Sequence, residues 1–229
     1  MGGSSVPTSG KQYNSVDFSG QDLSGAELND CVFVDCRFGG TSFRAADLSR
    51  SEFEHCHFNN DDSTRPADFS QAQLRECLFS QCNLTVVDFI RTRAYELQFD
   101  KCQLQGADLS KSDFRMPFGH SSALNAFTMC GCNFSYGSLA NTYLAGCTLQ
   151  DCRMTEACFD YCDLTEADLR GSELHNITAT GVTLKGADLR GATFNNINPR
   201  LIDLTGVKIH FSQLSLLLEP LGIVVEDDP

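Results

Sequence analysis

A chain of 229 residues that is 41% hydrophobic and 21% charged is too apolar for wholesale disorder and long enough for one large domain or two small ones. Its formal net charge of −13 and pI near 4.6 argue against nucleic acid or an anionic membrane as a direct partner and suit a basic protein surface. No apolar run approaches the ~18 residues of a spanning helix, and no basic-then-apolar signal opens the chain, so a cytoplasmic protein with reduced thiols is expected.

Residues 1–13 read as a flexible N-terminal segment, with Gly2-Gly3-Ser4-Ser5 set aside from fold reasoning. From Phe18 a Phe or Leu then falls at every fifth residue: Leu23, Leu28, Phe33, Phe38, Phe43, Leu48, Phe53 and Phe58. The frame slips by one and resumes at Phe69, running through Leu74, Phe79, Leu84, Phe89, Phe99, Leu104, Leu109 and Phe114. After an irregular stretch it continues from Met129 and Phe134 to Leu204, Ile209 and Leu214. Within these runs only Ala94, Ala179 and Pro199 lack a large apolar side chain at the centre of the repeat.

Two residues before the centre stands a small or modest side chain, such as Ala26, Cys36, Thr41, Ala107 or Ala187. A period of five fits neither the 3.6 of an α-helix nor the 2 of a strand. The chain must turn once per repeat, with the centre and the small residue both pointing inward. All cysteines except Cys130 and Cys158 occupy the small position. If each irregular stretch replaces one ordinary step, Cys36, Cys56, Cys82, Cys102, Cys132 and Cys152 form a single column. They then act as small hydrophobes in a narrow core. Zinc is not expected, because its ligands converge from closer spacings, such as two residues between cysteines.

Two segments break the rhythm: Asn59–Pro66, and Arg115–Ala126 with Phe118 on it. Insertions in a solenoid sit at its corners, project from one face and commonly carry binding function. Candidate partner-binding residues are therefore Asn59, Asp61, Asp62 and Arg65 in the first. In the second they are Arg115, Met116, Pro117, Phe118, His120, Ser121 and Ser122. Many acids, such as Asp22, Asp47, Asp68, Asp108, Asp168 and Asp188, stand one residue before the centre, where Asp bonds nearby backbone amides in turns. Asp30, Asp35, Glu76, Glu96, Asp100, Asp151, Glu156 and Glu166 are left for an outward acidic surface, interrupted by Arg50.

At the end, a short helix is expected from near Ser212, a strand at Ile223-Val224-Val225, and a solvated acidic tail. Residues 215–229 would cover the open end of the solenoid. A two-fold dimer through Leu214, Leu216, Leu217, Leu218, Leu221, Ile223 and Val225 is the sharper expectation.

The repeat over about residues 14–214 resembles the pentapeptide-repeat proteins. That resemblance implies an all-β fold, a right-handed quadrilateral β-helix with four repeats per coil and about nine coils. At ~4.8 Å per coil the rod would be roughly 43 Å long. The early loop of about eight residues, the later one of about twelve and the segment Gln213–Val225 together resemble the quinolone-resistance (Qnr) branch. That branch implies a DNA-mimicking dimer that protects DNA gyrase and topoisomerase IV from fluoroquinolones, with a role for the loops, the larger one especially. The net charge spread over the rod is about one per 3.3 Å, half the linear density of duplex DNA at one per ~1.7 Å, so shape and loops must contribute.

Other classes compare poorly. His55, His57, His120, His175 and His210 are scattered, and Gly119-His120-Ser121-Ser122-Ala123 lacks the strand-to-helix setting of a nucleophile elbow. Neither a Gly-rich phosphate loop nor a zinc-helix motif occurs, so catalysis, cofactor and metal are not expected. An immunity factor guarding gyrase against a natural toxin, or a scaffold with another partner, would use the same fold.

Overall fold

The computed structural model describes residues 6–59, 65–118 and 122–224. Strands β1 (Gln12–Asn14), β2 (Val32–Val34), β3 (Glu52–Glu54), β4 (Leu78–Ser80) and β5 (Leu97–Asp100) stack in parallel. β6 (Arg115–Phe118) and β7 (Ser122–Asn125) form a separate antiparallel pair. The parallel stack resumes with β8 (Phe127–Cys130) and β9 (Thr148–Gln150), and β10 (Glu173–Leu174) pairs with β11 (Thr193–Phe194).

Tyr13 faces Phe33 and Phe33 faces Phe53, a step of twenty residues or four repeats. Phe53 pairs with Phe79 and Phe99 with Met129, steps of twenty-six and thirty. The two insertions therefore add six and ten residues and leave the stack in register. Single bridges on the other sides keep the same step, as in Asp17–Arg37–His57–Asn83–Gln103 and Asp68–Asp88–Asp108.

Inside, the large centres form columns of buried rings. Phe53 stacks on Phe79 with centroids 4.6 Å apart and planes 4° apart, and Phe33, Phe53, Phe79 and Phe99 are all essentially inaccessible. The register of five is enforced at the corners, where the residue two after most centres takes a left-handed backbone, from φ +50° at Lys101 to +75° at Gly191. On most sides a turn closes there, the centre carbonyl accepting the N–H three residues on, as Phe43 O does from Ala46. A positive φ at the third turn residue is the requirement of a type II turn. The β-branched Val86 holds this conformation at φ +54°.

The cysteine column falls where the strands bend without that turn bond. There Cys56 Sγ lies 3.4 Å from Phe33 O, Cys82 Sγ 3.4 Å from Phe53 O, and Cys102 Sγ 3.3 Å from Phe79 O, each in the preceding coil. The thiols add a weak second donor to these centre carbonyls, which lie within the paired strands β2, β3 and β4. Ser172 continues the pattern, its hydroxyl donating to Leu149 O at 2.8 Å. The expected column holds, and Cys130 and Cys158 alone among the cysteines are only partly buried.

Three sequence expectations change. Residues 12–13, expected within the flexible segment, lie in β1, because Tyr13 fills a centre position and stacks on Phe33 at 5.2 Å. Leu214 is not a repeat centre: it opens α1 (Leu214–Leu218), and the neighbouring Gln213 turns inward instead. Ile223 and Val224 form no strand, and Val225 falls outside the described residues. Among the described residues no helix is long and apolar enough to cross a membrane.

Candidate partner-binding surface

The longer insertion is a β-hairpin. Arg115 pairs with Asn125, Met116 with Leu124, Pro117 with Ala123 and Phe118 with Ser122. Sequence reading expected a projecting loop here; antiparallel pairing satisfies the backbone groups that such a segment would otherwise leave open. His120 and Ser121 lie outside the described residues, and for Pro117, Phe118 and Ser122 only the backbone is described.

The foot of the hairpin is fixed on both strands. Arg115 makes an ion pair with Asp113 at 2.8 Å, and its guanidinium lies 4.7 Å from the centre of the Tyr143 ring, one coil on. The Arg115 guanidinium holds the Asp113 carboxyl below the usual carboxylate range. On the other strand Asn125 Nδ2 donates to Ala145 O at 3.0 Å. A groove of about 440 Å³ opens beside this foot, lined by Gln73, Arg75, Arg93, Tyr95, Asp113, Arg115 and Met116 among others.

The shorter insertion leaves the rod between Phe58 and Phe69, and the hairpin leaves it between Phe114 and Met129. Two of the four sides separate these exits, so the insertions depart from opposite corners and not, as expected, from one face. Of the first insertion Asn59 is half-buried and Arg65 exposed, whereas Asp61 and Asp62 lie outside the described residues. The Arg65 side chain packs over Gly40, where an added Cβ would meet it at 3.4 Å.

Asp30, Glu76, Glu96 and Glu166 occupy left-handed positions of one corner, all exposed, with Arg50 between the first two and Gly146 between the last two. It is the hairpin's own corner, for the Glu96 N–H donates to Ala126 O. Asp35 and Asp151 belong to the next corner round, and Glu156 to that of the shorter insertion. Asp30 is neutralised by Arg50 at 2.7 Å, and half-buried Asp100 faces Lys101 at 3.7 Å. The acids before the centres act as turn formers: Asp68, Asp88 and Asp108 each accept the N–H two residues on, at 2.7, 2.7 and 2.8 Å. In that stack burial, aided by Asp68 and Asp108, raises the Asp88 carboxyl above the usual range.

At the C-terminal end Leu216 and Leu217 pack against the core, while Leu214, Leu218 and Leu221 remain half-buried and Ile223 is exposed. Leu201, Phe211 and Val224 are 82%, 89% and 79% exposed, an apolar concentration at one end of the rod. Gln213, which sequence reasoning missed, fastens the cap. Its Nε2 donates to Leu189 O and Ala192 O at 2.8 and 2.7 Å, and its Oε1 accepts from Gly191 N and His210 N.

Family models of the pentapeptide repeat match residues 11–65, 67–102 and, in overlapping segments, 131–216. This chain is a pentapeptide-repeat protein. The span left unmatched, 103–130, contains the hairpin. No curated protein matches this pentapeptide-repeat protein on sequence. Among solved structures it is similar to QnrB1, described as a plasmid-mediated fluoroquinolone resistance protein. A trypsin-treated variant of QnrB1 aligns at 27% identity and a TM-score of 0.83, covering 94% of this chain and 100% of that one. Full-length QnrB1 aligns at 26% and 0.81, covering 93% and 100%. A second trypsin-treated variant aligns at 27% and 0.75, covering 97% and 100%.

Proposed function

We propose that this pentapeptide-repeat protein binds DNA gyrase and topoisomerase IV and protects them from fluoroquinolones. The observation that supports the reading is the likeness to QnrB1 over that protein's whole length, at 27% and 26% identity. The hairpin is the principal contact on this reading. It is tethered on both strands, so its projection from the rod is set before any partner arrives, which lowers the entropy lost on binding. Exposed acids on the same corner, Glu76, Glu96 and Glu166, none of them in an ion pair among the described residues, supply negative charge along the rod, and the shorter insertion contributes from the opposite corner. With about half the charge density of DNA, the rod competes by shape and specific contacts more than by charge.

The working form is a cytoplasmic homodimer joined at the C-terminal ends. Leu201, Phe211, Ile223 and Val224 supply the apolar area that such an interface would cover. Phe211→Asp with Val224→Asp should halve the mass seen in sedimentation, and an unchanged dimer would place the interface elsewhere.

Gyrase supercoiling in ciprofloxacin tests the main proposal. Intact protein is expected to restore supercoiled product, and no rescue by folded protein would sink the reading. Deleting residues 116–125 rejoins Arg115 to Ala126 and restores the twenty-residue step. Rescue should fall at least tenfold with this variant; full rescue would remove the hairpin from the interface.

A further inference from the structure

In a chain with net charge −13, the groove at the hairpin foot gathers Arg75, Arg93 and Arg115. Their charges are unequal in availability. Arg115 is committed to Asp113 and Tyr143. Arg75 and Arg93 are exposed and form no ion pair or side-chain hydrogen bond among the described residues. The groove therefore holds two guanidinium groups outside any ion pair among the described residues, beside one closed Arg115–Asp113 pair whose carboxylate also attracts Arg93 at longer range. Its walls also offer the ring of half-buried Tyr95 and the side chain of Met116.

These residues are far apart in the sequence and meet because the coil repeats every twenty residues: Gln73 bridges Arg93, and Arg93 bridges Asp113. We infer that this groove is a docking site for an extended acidic peptide segment of a protein partner, two of whose carboxylates pair with Arg75 and Arg93. Guanidinium groups bind carboxylates bidentately, and the apolar walls accept the methylenes or rings between the acids. A volume of about 440 Å³ suits a few side chains. Duplex DNA offers anions too, but the corner acids Glu76 and Glu96 directly follow Arg75 and Tyr95 in the chain. A continuous phosphate backbone would have to pass them, whereas a peptide with spaced carboxylates need not. The inference goes beyond topoisomerase protection and stands on the groove whether or not the partner is a topoisomerase.

The test is fluorescence anisotropy on the full chain in low salt. The probe is a fluorescein-labelled, end-blocked peptide alternating glutamate and tyrosine, with its glutamine counterpart and a 20-base-pair duplex as comparisons. The glutamate peptide should bind at least tenfold more tightly than the glutamine peptide. Arg75→Glu with Arg93→Glu should weaken it tenfold or more. Arg91→Glu with Lys111→Glu, an equal charge change at a different corner, should stay within twofold. All four positions are exposed, and unchanged circular dichroism certifies the fold. Failure of the glutamate peptide to bind, equal loss in both double variants, or groove-dependent binding of the duplex more tightly than the peptide would each overturn the inference.

Discussion

Phe79 is the place to test whether stacked rings stabilise the rod beyond the burial they bring. The side chain is inaccessible, lies 4.6 Å from Phe53 at 4° and 5.3 Å from Phe99 at 26°, and meets Phe58, Phe69 and Phe89 edge-on. Phe79→Leu keeps an apolar centre but removes ring area and leaves a small void, at about 1–1.5 kcal/mol. Loss of two stacked neighbours adds about 0.5–1.5 kcal/mol each, for a total near 3 kcal/mol. Phe53→Leu should cost about as much alone. Because both single changes delete the same Phe53–Phe79 stack, the double variant should be about 1 kcal/mol less destabilised than the sum. A control cycle of Phe53→Leu with Leu149→Ala, several coils apart, should be additive. Urea unfolding followed by circular dichroism reads all of these. Additivity of the Phe53–Phe79 pair within about 0.3 kcal/mol would show that stacking adds nothing to burial.

Four further perturbations separate local causes. Asp188 is held down to about 2 by Arg190, with burial opposing, so its ion pair stabilises the fold above the ordinary carboxylate value and is lost as pH falls from about 4 to 2. Asp188→Asn should therefore cost about 1 kcal/mol at neutral pH, allowing for solvent screening, and nothing near pH 2 by thermal melts. Asp88 is shifted the opposite way by burial and its acidic neighbours, so Asp88→Asn should raise the melting temperature at pH 7, with the gain vanishing below the ordinary carboxylate value. Burial pushes the Cys77 and Cys147 thiols up to about 12, and mass spectrometry after brief iodoacetamide treatment should find label on Cys130 and Cys158 before any buried cysteine. Gly137 stands at a small inward position where a Cβ would come within 2.7 Å of Phe134 Cδ2. Gly137→Ala should lower stability by about 1–3 kcal/mol in denaturant melts, despite the entropy it removes from the unfolded chain.

The core was legible because a single rule, one apolar centre per five residues, is written into almost every repeat. The same rule placed the cysteines and assigned many acids to turns. It failed where the rule changes hands. Tyr13 was missed because a tyrosine does not read as a Phe or Leu centre, although its ring stacks on Phe33 just as theirs do. The hairpin pairing left no visible alternation around Pro117. Gln213 looked like a polar neighbour of Leu214, yet four hydrogen bonds at the end of the solenoid make it the inward residue. The arginine groove was readable in principle, by walking the chain in steps of twenty and asking which outward side chains align. Arg75 and Arg93 do not stand out along the sequence, because each flanks a corner whose left-handed residue, Glu76 or Glu96, is acidic.

The central claim, that this protein shields a type II topoisomerase from drug, is tested most directly by counting drug-trapped DNA breaks. Gyrase, plasmid and ciprofloxacin would be incubated with increasing amounts of the protein, and linear DNA measured after denaturing the enzyme. The account predicts that linear DNA falls with added protein while supercoiling returns, and that removal of residues 116–125 abolishes both effects. Linear DNA that stays constant while folded protein is in excess over gyrase would contradict it.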